Sequence, residues 1–304
     1  SKHYNDYGTW IRSMFPFRVQ KISINAGFSC PNRDGRIGQG GCIYCDNRTF
    51  NPSYCNSTSS IKAQLEEGKK FFSHKYPDMK FLAYFQAYTN TYESIDKLKR
   101  MYEEALSVED VIGIVIGTRP DCVSDELLDY LGHLNTQTFI TIEYGIETAN
   151  NNTLKLINRG HDFECVKRIV SKTAEKGIIT GGHIILGLPG EDSEEIIRQA
   201  PLISALPINI LKLHQLQVIH GTKLEQMYKE HPFHLFSPDE YIELIGRYIK
   251  LLRKDIVIER FTSQSPKDML VGPQWGMKNH EFTDKLMKYL RENNIYQGQN
   301  VILP

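Results

Sequence analysis

The chain has 304 residues, a length suited to one large α/β domain or to a barrel with a small appendage. Its charge is balanced, with 36 lysines and arginines against 36 aspartates and glutamates. Bulk charge therefore gives no argument for a nucleic-acid or acidic-membrane partner, and any such surface must be a local patch. No apolar run approaches the roughly 20 residues that span a bilayer, and the first residues lack a signal-peptide pattern. We expect a cytoplasmic protein that does not act at a membrane.

Short apolar or β-branched runs alternate along the chain with helical patterns. The strand-like runs fall at about 20–26, 80–86, 111–117, 138–146, 178–186 and 209–218. The helical patterns between them fall at about 59–75, 92–107, 123–134, 151–157, 162–176 and 192–204. Repeated strand–helix units predict parallel pairing with right-handed crossovers. We therefore predict an α/β fold, a partial (β/α)6 TIM-type barrel with its functional groups at the carboxyl ends of the strands.

After residue 220 the pattern becomes mainly helical, with helices predicted at 222–229, 238–254 and 281–294 and one strand-like piece at 256–261. We expect residues 1–220 to form the barrel and residues 221–304 to form a helical extension packed on it. Several residues make this extension locally basic, namely Lys250, Arg253, Lys254, Arg260, Lys267 and Lys278. Such a set is typical of a solvated helix face, and it also suits a phosphate-binding surface.

Three cysteines follow the first predicted strand, Cys30, Cys42 and Cys45, with the spacing Cys-x11-Cys-x2-Cys. Three thiolates fill only three corners of a tetrahedral or cubane site, so one metal position stays open to a substrate or cosubstrate. Residues 31–41 include four glycines, which favours a loop that wraps closely around an inorganic cluster. Tyr44, between the last two cysteines, is expected beside the open position.

Other interpretations of the cysteines remain. A disulfide is disfavoured because cysteine is sparse and the chain shows no secretory signal. A structural zinc site completed by Cys55 or by a histidine is the stronger alternative on spacing alone. Cys55 lies outside any usual CxxC pairing and is interpreted as a bystander, and Cys122 and Cys165 as ordinary small residues near helices.

Four further motifs occur at the ends of later predicted strands: GTRPD at 117–121, EYGIET at 143–148, LINRGH at 156–161 and GLPGED at 187–192. Together with the cysteine triad, they resemble the radical S-adenosylmethionine (radical SAM) superfamily over residues 20–220. More narrowly, they resemble its YhcC/YtqA-type branch, which is related to the radical domain of the Elongator catalytic subunit.

The resemblance implies that Cys30, Cys42 and Cys45 ligate three irons of a 4Fe-4S cluster and leave the fourth iron to S-adenosylmethionine. An electron donor such as flavodoxin or ferredoxin would reduce the cluster. Cleavage of the sulfonium bond would then release methionine and a 5'-deoxyadenosyl radical that abstracts hydrogen from the substrate.

The resemblance also implies which residues contact the cofactor: Tyr44, Gln86, Ala87, Thr89, Glu147, Arg159, His183, Gln217 and Val218. Arg159 matches a family arginine that pairs with the methionine carboxylate, and Glu147 matches a polar residue that contacts the ribose or the methionine moiety. Residues 86–89 depart from the glycine-rich turn of the family, so the side-chain roles there are open. His183 replaces an acidic residue of some relatives and is either a cofactor contact or a buried barrel histidine.

Two classes of function stay open. The resemblance implies an enzyme acting on tRNA, at the side chain on carbon 5 of a wobble uridine, where it would process carboxymethylaminomethyl toward aminomethyl. A radical SAM enzyme acting on a small molecule is the nearest alternative. The non-enzymatic alternative is a zinc-stabilised RNA-binding module.

Overall fold

The computed structural model describes residues 2–27, 42–44, 59–74, 76–86 and 91–302. Several residues singled out from the sequence lie outside this described part of the chain, namely Cys30, Cys45, Cys55, Ala87 and Thr89. Cys42 and the other predicted site residues lie within it.

Strands and helices alternate as the sequence predicts. The strands are β1 (Val19–Ile24), β2 (Lys80–Phe85), β3 (Val111–Thr118), β4 (Phe139–Glu147), β5 (Ile179–Leu186), β6 (Ile210–Gln215), β7 (Val218–Ile219), β8 (Val257–Arg260) and β9 (Leu270–Gly272). The helices are α1 (Tyr7–Met14), α2 (Ile61–Phe72), α3 (Ile95–Leu106), α4 (Asp125–Leu134), α5 (Asn151–Leu156), α6 (Phe163–Glu175), α7 (Ser193–Ser204), α8 (Lys223–Glu230), α9 (Pro238–Ile249) and α10 (Asn279–Glu292). None of these helices is both long and apolar enough to cross a membrane.

Seven strands of the described chain form one parallel sheet in the order β1-β2-β3-β4-β5-β6-β8, and it curls into a half-barrel. The predicted partial TIM-type barrel is therefore confirmed. The sheet has one strand more than the six predicted units, because the strand-like piece at 256–261 becomes β8 and pairs with β6. The short strands β7 and β9 pair with each other outside the sheet.

Polar side chains at the ends of strands fix where many helices begin. Ser124, for example, follows β3 and its hydroxyl accepts a hydrogen bond from the Leu127 amide at 3.1 Å. Ser94, Asp162 and Asp192 cap α3, α6 and α7 in the same way. Such caps satisfy amide groups that have no partner within the helix, so each helix starts at a defined residue after the loop.

The two faces of the sheet differ. Outward side chains such as Ile114, Ile116 and Ile142 are fully or nearly fully buried under the helices and form the main apolar core. On the inner face, one apolar group lies at the amino-terminal end, where Leu82 and Tyr84 pack together, and a second includes Ile185 near the carboxyl end. Polar and charged residues occupy the rest of the interior, toward the carboxyl ends of the strands, where the site residues were predicted.

The basic residues of the carboxy-terminal segment do not form one surface. Arg253 precedes β8 and therefore lies at the amino-terminal end of the barrel, opposite the predicted site. Its guanidinium donates to the main-chain oxygens of Ser204, Leu206 and Ile208 at 2.6–3.0 Å. Arg253 is a structural residue that holds the chain between α7 and β6, so the expectation that it belongs to a phosphate-binding face is wrong. The domain boundary at residue 220 stays a prediction.

Candidate functional site

The described segment Cys42–Tyr44 lies against the carboxyl end of the half-barrel. The amide of Ile43 donates to the oxygen of Ile157 at 3.1 Å, and the amide of Leu224 donates to the oxygen of Ile43 at 2.8 Å. The three side chains share a second apolar cluster. Cys42 is thus held between the end of α5, which follows β4, and the start of α8, which follows β7.

Arg159, of the LINRGH motif, connects this segment to β4. Its Nη1 donates to Cys42 Sγ at 3.4 Å and its Nη2 donates to the oxygen of Gly145 at 2.9 Å. A Cβ at Gly145 would lie 2.5 Å from Nη2, so only glycine lets the guanidinium lie on the strand. Burial alone would lower the pKa of Arg159, but nearby Tyr44 and Cys42 hold that pKa well above its usual value. Arg159 therefore brings a permanent positive charge to Cys42.

Tyr44 and Glu147 form a pair beside Arg159. The Tyr44 hydroxyl donates to Glu147 Oε2. Glu147 ends β4 with a φ of 68°, after a register shift between Gly145 and Glu147. A positive φ in a glutamate is strained, and such strain is often found at functional sites. Burial, together with Glu147, raises the pKa of Tyr44 well above its usual value, so the hydroxyl keeps its proton and remains a donor.

The GTRPD motif packs against the same group. The guanidinium of Arg119 donates to both carboxylate oxygens of Asp121, at 2.9 and 3.0 Å, and also to the oxygen of Arg159. His161 lies nearby, where burial and the charges of Arg159 and Arg119 lower its pKa to about 3. The histidine is therefore neutral, and the two arginines supply the positive charge.

The residues around Cys42 fit the cluster and cofactor that the sequence motifs imply. Two buried guanidinium nitrogens here, Arg119 Nη1 and Arg159 Nε, have no hydrogen-bond partner within the described residues. Unsatisfied buried donors are costly, and an anionic group would satisfy them. The Arg159 guanidinium also places positive charge beside Cys42, which suits a cluster whose thiolate ligands are anionic. No set of three metal-ligating side chains occurs in the described part of the chain, which excludes Cys30 and Cys45.

A second group of charges lies deeper in the half-barrel, centred on Glu143. Lys212 Nζ is 3.0 Å from Glu143 Oε1, and both side chains are almost fully buried, at 4% and 2% exposure. Tyr84 donates to Glu143 at 2.5 Å, and the His183 ring donates to it at 3.1 Å. Burial alone would raise the pKa of Glu143. The positive charges of Lys212 and Lys21 outweigh this effect and hold the pKa well below its usual range.

Lys21, Lys212 and Glu259 were missed by the sequence reasoning. Lys21 and Glu259, on the two edge strands β1 and β8, pair at 2.7 Å and so connect the open sides of the half-barrel. A signal was present: Lys212 stands between Leu211 and Leu213, in the apolar first part of β6. A lysine in that position is either an edge residue or a buried, paired charge.

We predict that Glu143→Ala destabilises the fold by about 3–5 kcal/mol, because it leaves Lys21 and the buried Lys212 to share the single carboxylate of Glu259. Glu194→Ala is the control, since Glu194 forms an exposed pair with Arg247 and should cost less than about 1 kcal/mol. Because the folded pKa of Glu143 is depressed, its stabilising effect is present above about pH 4.3 and is lost as the pH falls. Urea unfolding between pH 7 and pH 3 measures both effects. A loss at pH 7 no larger than that of Glu194→Ala would contradict the prediction.

The structure brings Tyr44, Glu147 and Arg159 together beside Cys42. The other described candidates lie elsewhere. His183 faces Glu143, the side-chain oxygen of Gln217 accepts from the Ser265 hydroxyl at 2.8 Å, and Val218 pairs with Gly272 in the β7–β9 ribbon. Gln86 directly follows β2. The cofactor roles of all these residues stay predictions.

Comparison with known proteins agrees with the motifs. Residues 30–199 match the radical SAM superfamily, and residues 208–292 match the radical SAM C-terminal domain. YtqA of Bacillus subtilis (strain 168) is 34% identical over 298 residues, which cover 98% of this chain and 92% of YtqA. A tRNA uridine(34) acetyltransferase of Methanocaldococcus infernus is 24% identical over 208 residues, which cover 66% of this chain and 38% of that protein.

A solved structure gives the same fold. The structure of Methanocaldococcus infernus Elp3 with an N-terminal deletion superposes with a TM-score of 0.68 and 18% identity, covering 92% of this chain and 64% of that chain. The sequence matches and the shared fold agree with the half-barrel and its motifs. The chain therefore belongs to the radical SAM superfamily, in the YhcC/YtqA branch that is related to Elp3.

Proposed function

We propose that this protein is an enzyme that holds a 4Fe-4S cluster through Cys30, Cys42 and Cys45, cleaves S-adenosylmethionine reductively, and modifies tRNA at a wobble uridine. The observation that carries the cofactor part is the position of Arg159, which contacts both Cys42 Sγ and the main chain of β4. Cys30 and Cys45 lie outside the described residues. They belong to the cysteine motif at the start of the match to the radical SAM superfamily.

Arg159 is suited to bind the carboxylate of the methionine moiety. Two of its nitrogens are fixed by Cys42 and Gly145, and its buried Nε has no partner within the described residues. A planar guanidinium binds a carboxylate in a defined orientation. When bound, the reduced cluster would supply the electron that breaks the sulfonium carbon–sulfur bond.

Tyr44 and Glu147 would orient the rest of the cofactor. The Tyr44 hydroxyl occupies one carboxylate oxygen of Glu147 and so fixes the side chain. A carboxylate held in this way still offers acceptor sites to a ribose hydroxyl or to the methionine amino group. The apolar cluster around Ile43, Ile157 and Leu224 excludes water beside this group, which a radical reaction requires.

The tRNA part of the proposal is supported by the similarity to a protein named for uridine 34 of tRNA. The target would be the side chain on carbon 5 of that uridine, processed from carboxymethylaminomethyl toward aminomethyl. A base reaching the interior must be unstacked, at a cost of about a few kcal/mol that phosphate contacts can offset. Flavodoxin or ferredoxin is a suitable electron donor.

The test is a tRNA nucleoside profile by mass spectrometry from cells with and without this gene. We expect the carboxymethylaminomethyl nucleoside to accumulate without the gene, and a plasmid copy to reverse the change. A copy carrying Cys42→Ala should fail to do so, whereas one carrying Cys165→Ala should succeed. An unchanged nucleoside profile would refute the tRNA substrate and favour a small molecule.

A further inference from the structure

Arg260 enters the interior of the half-barrel at a bulge in β8. The register between β6 and β8 shifts so that Lys212 lies opposite Arg260, and Glu259 is an extra residue. Residues in register on parallel strands face the same side, and Lys212 faces the interior. Glu259 also faces inward, because it pairs with Lys21 at 2.7 Å and with Lys212 at 3.4 Å. Because of the bulge, the side chains of the successive residues Glu259 and Arg260 both point into the half-barrel.

Arg260 differs from the other charges of the interior in having no counter-charge. Lys21 and Lys212 pair with Glu143 and Glu259. Arg260 forms no ion pair with any residue that the structure describes, and its Nε is buried without an acceptor there. An uncompensated cation inside a protein is unfavourable, so an anion from outside the described chain would be stabilised at this point.

Neighbouring histidines add no charge. Burial, together with the charges of Arg260 and Lys212, lowers the pKa of His214 to about 3 and also lowers the pKa of His183. His183 lies within the half-barrel, yet 22% of its side chain is exposed. The interior is therefore not completely filled beside His183. Arg260 therefore places a positive charge beside this accessible space, and no described residue supplies a counter-charge for it.

We propose that Arg260 binds an oxyanion of the substrate inside the half-barrel. The inference rests on the proposed function, since the substrate of a radical SAM enzyme must reach this interior. A guanidinium pairs with a carboxylate or a phosphate through two parallel hydrogen bonds. The oxyanion is either a carboxylate on the side chain of the target or a phosphate of a polynucleotide.

The position of β8 separates this oxyanion from the carboxylate of the cofactor. The Arg159 guanidinium contacts β4 at Gly145, and β8 is three strands away in the order β4-β5-β6-β8. At about 4.8 Å between strands, the sheet spans up to about 14 Å between them. Arg260 is thus on an edge strand and Arg159 contacts the central strand β4, so we assign the two arginines to different ligands.

The test is thermal unfolding of the full chain in sodium acetate, sodium phosphate or sodium chloride at equal ionic strength. In the parent, a saturating oxyanion should raise the midpoint by about 2 °C over chloride. Arg260→Gln should lose this gain, and in chloride it should unfold at or above the parental midpoint because it removes an uncompensated charge. Arg168→Gln, an exposed control on α6, should keep the gain. A higher midpoint in acetate alone indicates that Arg260 binds a carboxylate of the substrate. A higher midpoint in phosphate alone indicates that it binds a phosphate of the substrate.

Four results would overturn the proposal. The first is a parent whose midpoint is no higher in either oxyanion than in chloride, and the second is an Arg260→Gln variant that keeps the full gain. The third is an Arg260→Gln variant that fails to fold or is less stable than the parent in chloride, which would make Arg260 a structural residue. The fourth is loss of the acetate gain in saturating S-adenosylmethionine, which would assign Arg260 to the cofactor. These measurements need no turnover, so a parent that fails to cleave S-adenosylmethionine refutes the proposed function without deciding the Arg260 site.

Discussion

Cys42→Ala is expected to lower the iron content of anaerobically reconstituted protein from about four atoms per chain to near zero, and to abolish cleavage of S-adenosylmethionine. Two thiolates cannot hold a cluster that needs three, and Cys42 is the ligand whose surroundings the structure describes. Cys30→Ala and Cys45→Ala should have the same effect. Iron and sulfide assays, with the visible absorption of the cluster, measure the loss.

Cys122→Ala is the matched control for this experiment, because Cys122 is as buried as Cys42 and its thiol contacts Asp121. It should keep the iron and the cleavage activity. Cys55→Ala should also keep them. Loss of the metal in Cys55→Ala would instead support the four-ligand structural site.

Arg159→Ala should weaken binding of S-adenosylmethionine by roughly thirtyfold or more while the cluster remains. Removing one partner of a buried charge-assisted pair costs on the order of 2–5 kcal/mol. Gly145→Ala should act in the same direction, because the added Cβ would lie 2.5 Å from Arg159 Nη2 and displace the guanidinium. Anaerobic calorimetric titration of the reconstituted protein measures the affinity.

Arg168→Ala is the control for both changes, since Arg168 is exposed on α6, the helix that follows the LINRGH motif. The Arg168→Ala variant should bind S-adenosylmethionine with the same affinity as the parent. If Arg159→Ala binds S-adenosylmethionine as tightly as the parent does, Arg159 only links Cys42 to β4. Loss of iron in that variant would show that the guanidinium is needed to hold the cysteine segment.

The repeating pattern of apolar strands and capped helices was sufficient to predict the half-barrel. Helix α1 was missed although Tyr7, Trp10 and Ile11 have helical spacing, because 8 residues are too short a stretch for the period to be distinctive. The predicted strand at 209–218 was too long, since β6 ends at Gln215 and Val218 pairs with β9 instead. Apolar character continues across Leu216, and only pairing in three dimensions marks the end of the strand.

Motifs were sufficient to predict the group around Cys42, because Tyr44, Glu147 and Arg159 stand in recognisable local patterns. The interior charges were not predictable in the same way. Lys21 and Glu259 lie 238 positions apart and meet only because β1 and β8 are the two edges of a curled sheet. Arg253 and Arg260 looked alike in the sequence, yet one lies at each end of β8.

The most direct test of the account is to incubate the anaerobically reconstituted, reduced protein with S-adenosylmethionine and to quantify 5'-deoxyadenosine and methionine. The account predicts equal amounts of the two products from the parent and neither product from Cys42→Ala. A parent that holds tightly bound zinc without iron or sulfide, and that forms no 5'-deoxyadenosine, would contradict it.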